Sequence, residues 1–463
     1  MRTGKRQRLR ANTLTRARAT SVPEYDRSAP PGIAHVGFGA FARAHLAVYA
    51  DELLRRGQPA LIRGVSIRSR QAEEQLEPQD GLFTVATREP GEDMTLQVVG
   101  ALASMETGPA AALDALTAPA VKLVTLTITE KGYEPVDSPT HAEAPTSAPA
   151  LIALSLAQRR RVGSAPPVFA SLDNLLENGR VLRTRVLEAA ATIDPSLAPW
   201  IAHNVRFPSS VVDRMVPAPT ERDLDDIADR LGLIDRAAVG AEHHRSWIIR
   251  SVDELAPLAD VGVELVQDVA PFERRKLWLL NGPHSATAYG GLLTGHDTIA
   301  AAVTDPALAR FVRALVDDTL EVAEFPASLQ AASFAGEALR RFANPALGHT
   351  CAQVGADGSS KLPQRLLPVV AARRQEGLDT ERFAVVAAIW IAAAAGVAVR
   401  GVDLPQLEDP TAGVLRAAAR RDDPQELSQV ALGSLAGKAF TAEVASALRR
   451  LTTEGRALLE PNR

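Results

Sequence analysis

An amine, a carboxamide and an imidazole fall close together in the otherwise apolar stretch Lys276-Leu-Trp-Leu-Leu-Asn281-Gly-Pro-His284-Ser285. Read as a regular helix, the stretch turns Lys276, His284 and Asn281 to about 0°, 80° and 140°, so one side of the element carries all three. Leu277, Leu279, Leu280, Ala286 and Ala288 would anchor the helix and leave that side to a polar cleft. Apolar surroundings disfavour the charged form of a lysine, and a neutral amine is a general base. The plain alternative is an exposed lysine, a helix that ends at Asn281-Gly282, and a histidine bonded to a backbone carbonyl.

A second constellation sits near the start of the chain. Ile33-Ala34-His35-Val36 reads as a short apolar strand, followed by the turn Gly37-Phe38-Gly39-Ala40-Phe41-Ala42 and a helical run through Leu46, Val48, Leu53 and Leu54. Strand, G-x-G-x-x-A and helix in that order form the dinucleotide fingerprint in its required context. Gly37 permits the tight turn, Gly39 lets the backbone approach a pyrophosphate, and Ala42 lets the helix pack close to the strand. Gly37, Phe38, Gly39, Ala40 and Phe41 are therefore candidate cofactor contacts.

Positioning these groups requires two kinds of architecture. From Gly32 to about Val263, short β-branched runs (Leu61–Ile67, Leu96–Val99 with pairing at an edge, Val121–Ile128, Val168–Ser171) alternate with helical stretches. Such alternation predicts an α/β, Rossmann-type, doubly wound sheet with ligands at the carboxyl ends of its strands. Thr129, Glu130 and Lys131 lie at one such end and Asp173-Asn174 at another. After Pro271 the β signal fades, so 271–463 is predicted to be a mostly α-helical substrate and catalytic domain, interrupted by a loop from about Asn344 to Pro368. The dinucleotide domain is assigned to 29–270. Residues 1–28, rich in Arg, are expected to be a disordered basic arm, and Pro135–Pro149 a surface excursion.

Composition excludes several classes. The 463 residues are 46% hydrophobic and 23% charged with a net charge of -4, ordinary globular usage that argues against a general polyanion binder, so no nucleic-acid partner is expected. The apolar run Phe383–Val399 falls short of the roughly 20 residues that span a bilayer and reads as a buried helix. The N-terminus lacks the continuous apolar stretch of a secretory signal, and the single cysteine, Cys351, cannot form an internal disulfide, which suits a reducing cytoplasm. No metal-ligand spacing is present; His243-His244 lacks neighbouring ligands and reads as exposed.

Several blocks together resemble the mannitol dehydrogenase family, the long-chain polyol dehydrogenases that include mannitol 2-dehydrogenase and fructuronate reductase. They are Pro23-Glu-Tyr-Asp-Arg-Ser28, Gly37-Phe-Gly-Ala-Phe-Ala-Arg-Ala-His45, Thr127-Ile-Thr-Glu-Lys-Gly-Tyr133, Ser171-Leu-Asp-Asn174 with Glu177-Asn-Gly-Arg180, and Phe207-Pro-Ser-Ser-Val-Val-Asp-Arg214. They continue through the Lys276 segment to Arg341-Phe-Ala-Asn-Pro345 and Asp357-Gly-Ser-Ser-Lys-Leu-Pro-Gln-Arg365, in family order from about residue 23 to about residue 370. The resemblance implies metal-free oxidation of a secondary alcohol. A lysine at the Lys276 position acts as base, asparagines at the Asn174 and Asn281 positions hold the substrate oxygen, and the histidine at the His284 position contacts substrate. By the same resemblance Asp213 binds a substrate hydroxyl; pairing with Arg214 or another arginine is its structural alternative. The chemistry agrees: the hydroxyl proton must leave as hydride departs, so an uncharged amine is needed beside it, although lysine normally titrates near about 10.4. Carboxamide N–H groups stabilise the developing alkoxide without competing for the proton.

The resemblance also bears on substrate and cofactor. Polyols offer hydroxyls, whereas sugar acids add a carboxylate that an ammonium or guanidinium can pair with; Lys361 and Arg365 would supply that charge. The Lys-Leu-Pro-Gln-Arg wording is more like fructuronate reductases than mannitol 2-dehydrogenases, which shades the expectation toward an acidic sugar (mannonate/fructuronate rather than mannitol/fructose). Two departures stand out. Ala42 replaces a histidine common in the family, and the second strand ends in Ile67-Arg68-Ser69-Arg70 where an acid usually grips the NAD ribose. NAD is expected, with NADP as the alternative if Arg68 and Arg70 clamp a 2′-phosphate. Other readings remain: a dehydrogenase of arabinitol or of a phosphorylated polyol, or a dinucleotide sensor without turnover.

Overall fold

The structure is a computed structural model and describes residues 6–89, 91–128, 130–133 and 146–460, without the side chains of Glu130 and Lys131. The chain divides into two compact units, 1–270 and 271–463.

The first unit is built on a five-stranded parallel sheet ordered Leu102–Thr107, Ile62–Ser66, Ile33–Val36, Leu123–Leu126, Val168–Ser171. Ile33 is in register with Ile62 on one side and Leu123 on the other. Strand sterics make each crossover right-handed, so a chain that winds outward first one way and then the other covers both faces with helices. Ala34 and Val36 pack with Val124, Leu126 and Phe169 against Leu151, Ile152, Leu156, Leu182 and Val186. Ile33 faces the other way, into a cluster with Ile62, Leu102, Leu46, Val48, Tyr49 and Leu53. The winding reverses between Ile33–Val36 and Leu123–Leu126, and ligands of such sheets bind outside the carboxyl ends at that reversal. The predicted strands at Leu61–Ile67, Val121–Ile128 and Val168–Ser171 are present in this sheet. Leu96–Val99 pairs at an edge as expected, in a second sheet, where strand Thr95–Val99 flanks Phe83–Thr87.

Residues 6–28 are not a free arm. The Leu9 N–H donates to Ile234 O, the Arg18 N–H to Leu231 O and the Thr20 N–H to Leu96 O, while Ser21 O accepts from Val98 N–H. Leu9 is fully buried with Leu82, Val98 and Leu231. The physical reason is the open edge of strand Thr95–Val99: its unpaired backbone groups need partners, and the arm supplies them. Arginine content indicated a solvated tail, but Arg27 spends its guanidinium on Gly100 O, Leu102 O and Asp80 O. Of the excursion expected at 135–149, residues 134–145 lie outside the described residues; its end is helical, with Ser147 capping helix Ala148–Arg161.

The second unit is helical. Helix Glu381–Ala395 has Phe383 to Ala395 buried throughout and stops at Gly396, whose φ of 71° ends it. Among the described residues no helix is long and apolar enough to cross a membrane. The loop expected from about Asn344 to Pro368 is largely helix: Cys351–Gly355, Gly358–Arg365 and Leu367–Gln375. A capping box between Thr350 and Gln353 starts the first of these. Gly358 opens the second, and packing makes that possible, because a Cβ there would lie 2.2 Å from Trp390 Nε1. Polar, Gly- and Pro-containing sequence indicated a loop; tertiary contacts overrode it.

Candidate active site

Gly37 has φ of 90°, and a Cβ there would meet Thr127 O at 2.1 Å, so only glycine fits. The turn is pinned on both sides, with the Gly37 N–H donating to Val65 O (2.8 Å) and the Thr127 N–H to Val36 O (3.0 Å). Gly39 is exposed, and a Cβ there would meet nothing nearer than Gly37 O at 3.8 Å, which leaves its backbone open to a ligand. Ala42 is fully buried, as close packing of helix on strand requires. Phe38 points into the core against His35 and Phe83, so only its backbone faces the turn. Ala40 opens the helix Ala40–Ala44, and Phe41 stacks on His45 at 4.9 Å. The turn thus combines a glycine in the left-handed region with an exposed glycine two residues on, the arrangement that a dinucleotide fingerprint requires.

Arg68 and Arg70 are both exposed beyond strand Ile62–Ser66, and Arg70 lies 3.7 Å from Glu73 and 4.0 Å from Glu74. Thr129 lies outside the described residues, as do the side chains of Glu130 and Lys131, whose backbone forms a short 3-10 turn, Glu130–Tyr133.

Asn174 is exposed just past strand Val168–Ser171. A network that sequence reasoning missed holds its loop. Asp173 accepts the Ile128 N–H (2.9 Å) and the Tyr133 hydroxyl (2.6 Å), tying this strand end to its neighbour. Buried Asn178 donates to Asp173 O and Ser210 O and accepts the Ser210 N–H. Gly179 lets helix Asn178–Ile193 touch the 207–209 backbone, since a Cβ would meet Ser209 N at 2.5 Å. The Glu177–Arg180 and Phe207–Arg214 blocks are thus two halves of one joint.

Asp213 is buried at the end of strand Ser210–Asp213, with its Oδ2 3.5 Å from His244 Nε2. Of the pair expected to be exposed, His243 is exposed and His244 is half-buried against Asp213. Arg214 turns to Glu242 O and Ala44 O. His45 next to it is buried, donates from Nε2 to Ser246 O (2.9 Å), and is pushed down to about 3 by burial first.

The Lys276 segment is continuous helix but not regular. Helix Ala270–Lys276 runs into a π-helical turn, Leu277–Asn281, and on into Gly282–Thr294. The Gly282 N–H bonds to Leu277 O, five residues back. The cause is Pro283, which lacks an N–H and whose ring collides with the carbonyl four residues earlier, so the turn widens. The regular-helix angles of about 80° and 140° for His284 and Asn281 therefore do not hold. Lys276 is half-buried at the last position before the wide turn.

Asn281 is 6% exposed, and among the described residues its Nδ2 has no hydrogen-bond partner. His284 Nε2 is likewise buried without a hydrogen-bond partner among the described residues. The His284 ring stacks on Phe342 (4.7 Å, 17°) and lies 6.1 Å from the His349 ring. Burial, then the charges of His349, Arg365, Arg341 and Lys361, push its pKa down to about 3, so it is neutral at any ordinary pH. Arg365 donates to Ser285 Oγ at 2.8 Å and to Asn281 O at 3.5 Å. Lys361 Nζ donates to Ala356 O at 2.6 Å and Val354 O at 3.4 Å. The structure thus brings Asn281, His284, Lys361 and Arg365 into one neighbourhood.

Two sequence signatures match the chain: the mannitol dehydrogenase Rossmann domain over residues 31–258 and the mannitol dehydrogenase C-terminal domain over 268–452. The chain belongs to the mannitol dehydrogenase family. As a member it is an oxidoreductase. D-mannonate oxidoreductase of Escherichia coli K12 is 37% identical over 408 residues, covering 82% of this chain and 83% of its own. Mannitol 2-dehydrogenase of Phaeosphaeria nodorum is 30% identical, covering 97% of this chain and 84% of its own. The solved structure of Pseudomonas fluorescens mannitol 2-dehydrogenase, a ternary complex with NAD and D-mannitol, matches with a TM-score of 0.88 at 30% identity, covering 98% of each chain.

Within this mannitol dehydrogenase fold, a further joint supports helix Gly358–Arg365. Asp409 accepts the Ser359 N–H (2.9 Å) and the Trp390 indole N–H (3.1 Å), which holds the start of helix Gly358–Arg365. Asp409 lies in a region with no motif, so sequence offered no signal for it. His349 is different: its closeness to the Arg341–Pro345 block was visible, but its approach to the His284 ring was not.

Proposed function

We propose that the chain is an NAD-dependent dehydrogenase that interconverts a secondary alcohol of a sugar alcohol or sugar acid and the corresponding ketone, with a sugar acid of the mannonate/fructuronate type preferred. The observation that carries this reading is a pair of buried polar atoms without hydrogen-bond partners among the described residues, Asn281 Nδ2 and His284 Nε2, on the helix that follows Lys276. Burying unsatisfied polar groups costs about 1–3 kcal/mol each, and a site tolerates that cost where a ligand supplies the missing partner.

When bound, the dinucleotide supplies the hydride acceptor. Gly37, Gly39 and the backbone of Phe38, Ala40 and Phe41 hold its pyrophosphate. Lys276, as the uncharged amine, takes the hydroxyl proton. The Asn281 carboxamide donates to the oxygen as it becomes an alkoxide and then a carbonyl, a contact that strengthens with the developing charge. Asn174 is the second carboxamide by family resemblance, and Asp213 the acceptor for a further hydroxyl. A neutral His284 either donates to or accepts from a substrate hydroxyl without adding charge.

The preference for an acid is supported by the cations gathered around His284, namely Arg341, Lys361 and Arg365, and by 37% identity to a D-mannonate oxidoreductase. A guanidinium pairs with a carboxylate through two parallel charge-assisted bonds, a geometry that neutral polyol hydroxyls do not match. The test is a panel of mannonate, fructuronate, mannitol, fructose and arabinitol with both dinucleotides. Fructuronate should be reduced with the highest kcat/KM, and Arg365→Ala and Lys361→Ala should raise its KM far more than that of fructose. Efficient reduction of fructose with none of fructuronate would remove the acid preference and leave the polyol reading.

A further inference from the structure

A hydrogen-bond path with a defined direction runs beneath the glycine turn. His35 is fully buried in the central strand, with Nδ1 2.8 Å from Thr125 Oγ1 and Nε2 2.9 Å from Thr127 Oγ1. Thr127 Oγ1 lies 2.6 Å from Gly37 O. A carbonyl oxygen only accepts, so the one hydroxyl proton of Thr127 goes to Gly37 O. Thr127 Oγ1 must then accept from His35 Nε2–H. The neutral ring has no second proton, so Nδ1 is bare and accepts the Thr125 hydroxyl. The order is Thr125 to His35 to Thr127 to Gly37, and every donor in it is satisfied. Burial agrees, since it keeps the ring uncharged.

The end of the path is a peptide whose orientation matters. Gly37 O also accepts the Gly39 N–H at 2.7 Å, so both of its lone pairs are used. In a planar trans peptide the C=O and the following N–H point in opposite directions. Drawing the Gly37 carbonyl toward Thr127 therefore aims the Phe38 N–H the other way, and among the described residues that N–H has no partner.

We propose that His35 and Thr127 are positioning residues for the dinucleotide: by holding the Gly37 carbonyl they fix the Gly37–Phe38 peptide so that the Phe38 N–H faces the pyrophosphate. This rests on the reading of the turn as the dinucleotide site. Neither side chain touches the ligand, and each acts through the main chain. Without the Thr127 hydroxyl the Gly37 carbonyl keeps only the Gly39 N–H as a partner, so the peptide is held less firmly and binding an anion must supply part of the ordering.

The test uses the full chain, with NADH as the probe in a fluorescence titration and melting temperature measured alongside. Thr127→Val, nearly the same shape without the hydroxyl, should weaken NADH binding at least fivefold and raise the dinucleotide KM more than it lowers kcat; Thr127→Ser should restore the affinity. His35→Gln, which keeps an N–H near the Nε2 position, should bind NADH more tightly than His35→Leu. A Thr127→Val chain that melts earlier yet binds NADH as the wild type does would reduce the path to a structural brace and overturn the proposal. Equal NADH affinities for His35→Gln and His35→Leu would do the same should the Thr127 variant not fold. A wild-type chain that binds neither NADH nor NADPH would instead overturn the dinucleotide reading itself.

Discussion

Replacing Asn281 with leucine should leave the folded chain as stable as before or more so while removing most of its turnover. In the free protein the Asn281 carboxamide is 6% exposed and its Nδ2 has no partner among the described residues, a desolvation cost of about 1–3 kcal/mol. Leucine carries no such group, has the better helix propensity by a few tenths of a kcal/mol, and keeps the backbone carbonyl that Arg365 uses. Crowding offsets part of this gain, so the net expectation is about 0 to +2 kcal/mol. Catalysis moves the opposite way. Loss of one preorganised donor to a developing oxyanion costs about 2.7–4 kcal/mol, or roughly 10²–10³ in kcat. Urea denaturation and steady-state kinetics on the same preparations separate the two quantities. A variant destabilised by more than about 1 kcal/mol that still turns over near the wild-type rate would refute the reasoning, because Asn281 would then be a structural residue with a partner.

Three more outcomes follow from the same geometry. Lys276→Ala should lower kcat by roughly 10²-fold or more, the usual scale for a positioned general base, with NADH affinity nearly intact; single-turnover rates and a binding titration check the split. If exposed Arg68 and Arg70 only face solvent, alanine at both should change NAD affinity little, whereas a tenfold wild-type preference for NADP that the double variant loses would assign them to a 2′-phosphate; both affinities are compared at one salt concentration because exposed contacts are screened. Burial pushes His35, His45 and His284 down to about 3, below the ordinary value of about 6.5. Above pH 6.5 both folded and unfolded chains keep these rings neutral, and between about 6.5 and 3 only the unfolded chain takes up the protons. Stability should therefore fall as pH falls, with uptake approaching three protons on unfolding and a slope of at most about 4 kcal/mol per pH unit. Calorimetry in buffers of different ionisation enthalpy measures that uptake, and stability independent of pH across this window would show that the rings titrate normally.

Local patterns made much of the molecule legible from sequence. The glycine turn between strand Ile33–Val36 and its helix, the alternation that builds the parallel sheet, and the helix carrying Lys276, Asn281 and His284 all depend on contacts between residues a few positions apart. Strand period, left-handed glycine and helical spacing are therefore enough to read them. Family wording extended that reading to Asn174, Asp213, Lys361 and Arg365, whose chemistry no local pattern specifies.

Tertiary structure alone decided the rest, because those features depend on groups distant in the chain. The basic arm packs because strand Thr95–Val99 has an edge to fill, and helix Gly358–Arg365 forms where a loop was expected because Gly358 fits against Trp390 and Asp409 receives the Ser359 N–H. Pro283 was visible in the sequence, yet the response to it was not: a proline in a helix can kink, break or widen it, and here burial of Leu279, Leu280 and Asn281 keeps the helix whole and leaves a π-turn. Hydrogen-bond direction is the clearest case. His35, Thr125 and Thr127 are unremarkable as residue types, and only their convergence beneath Gly37 assigns each proton, since a path of donors and acceptors is determined by where it ends.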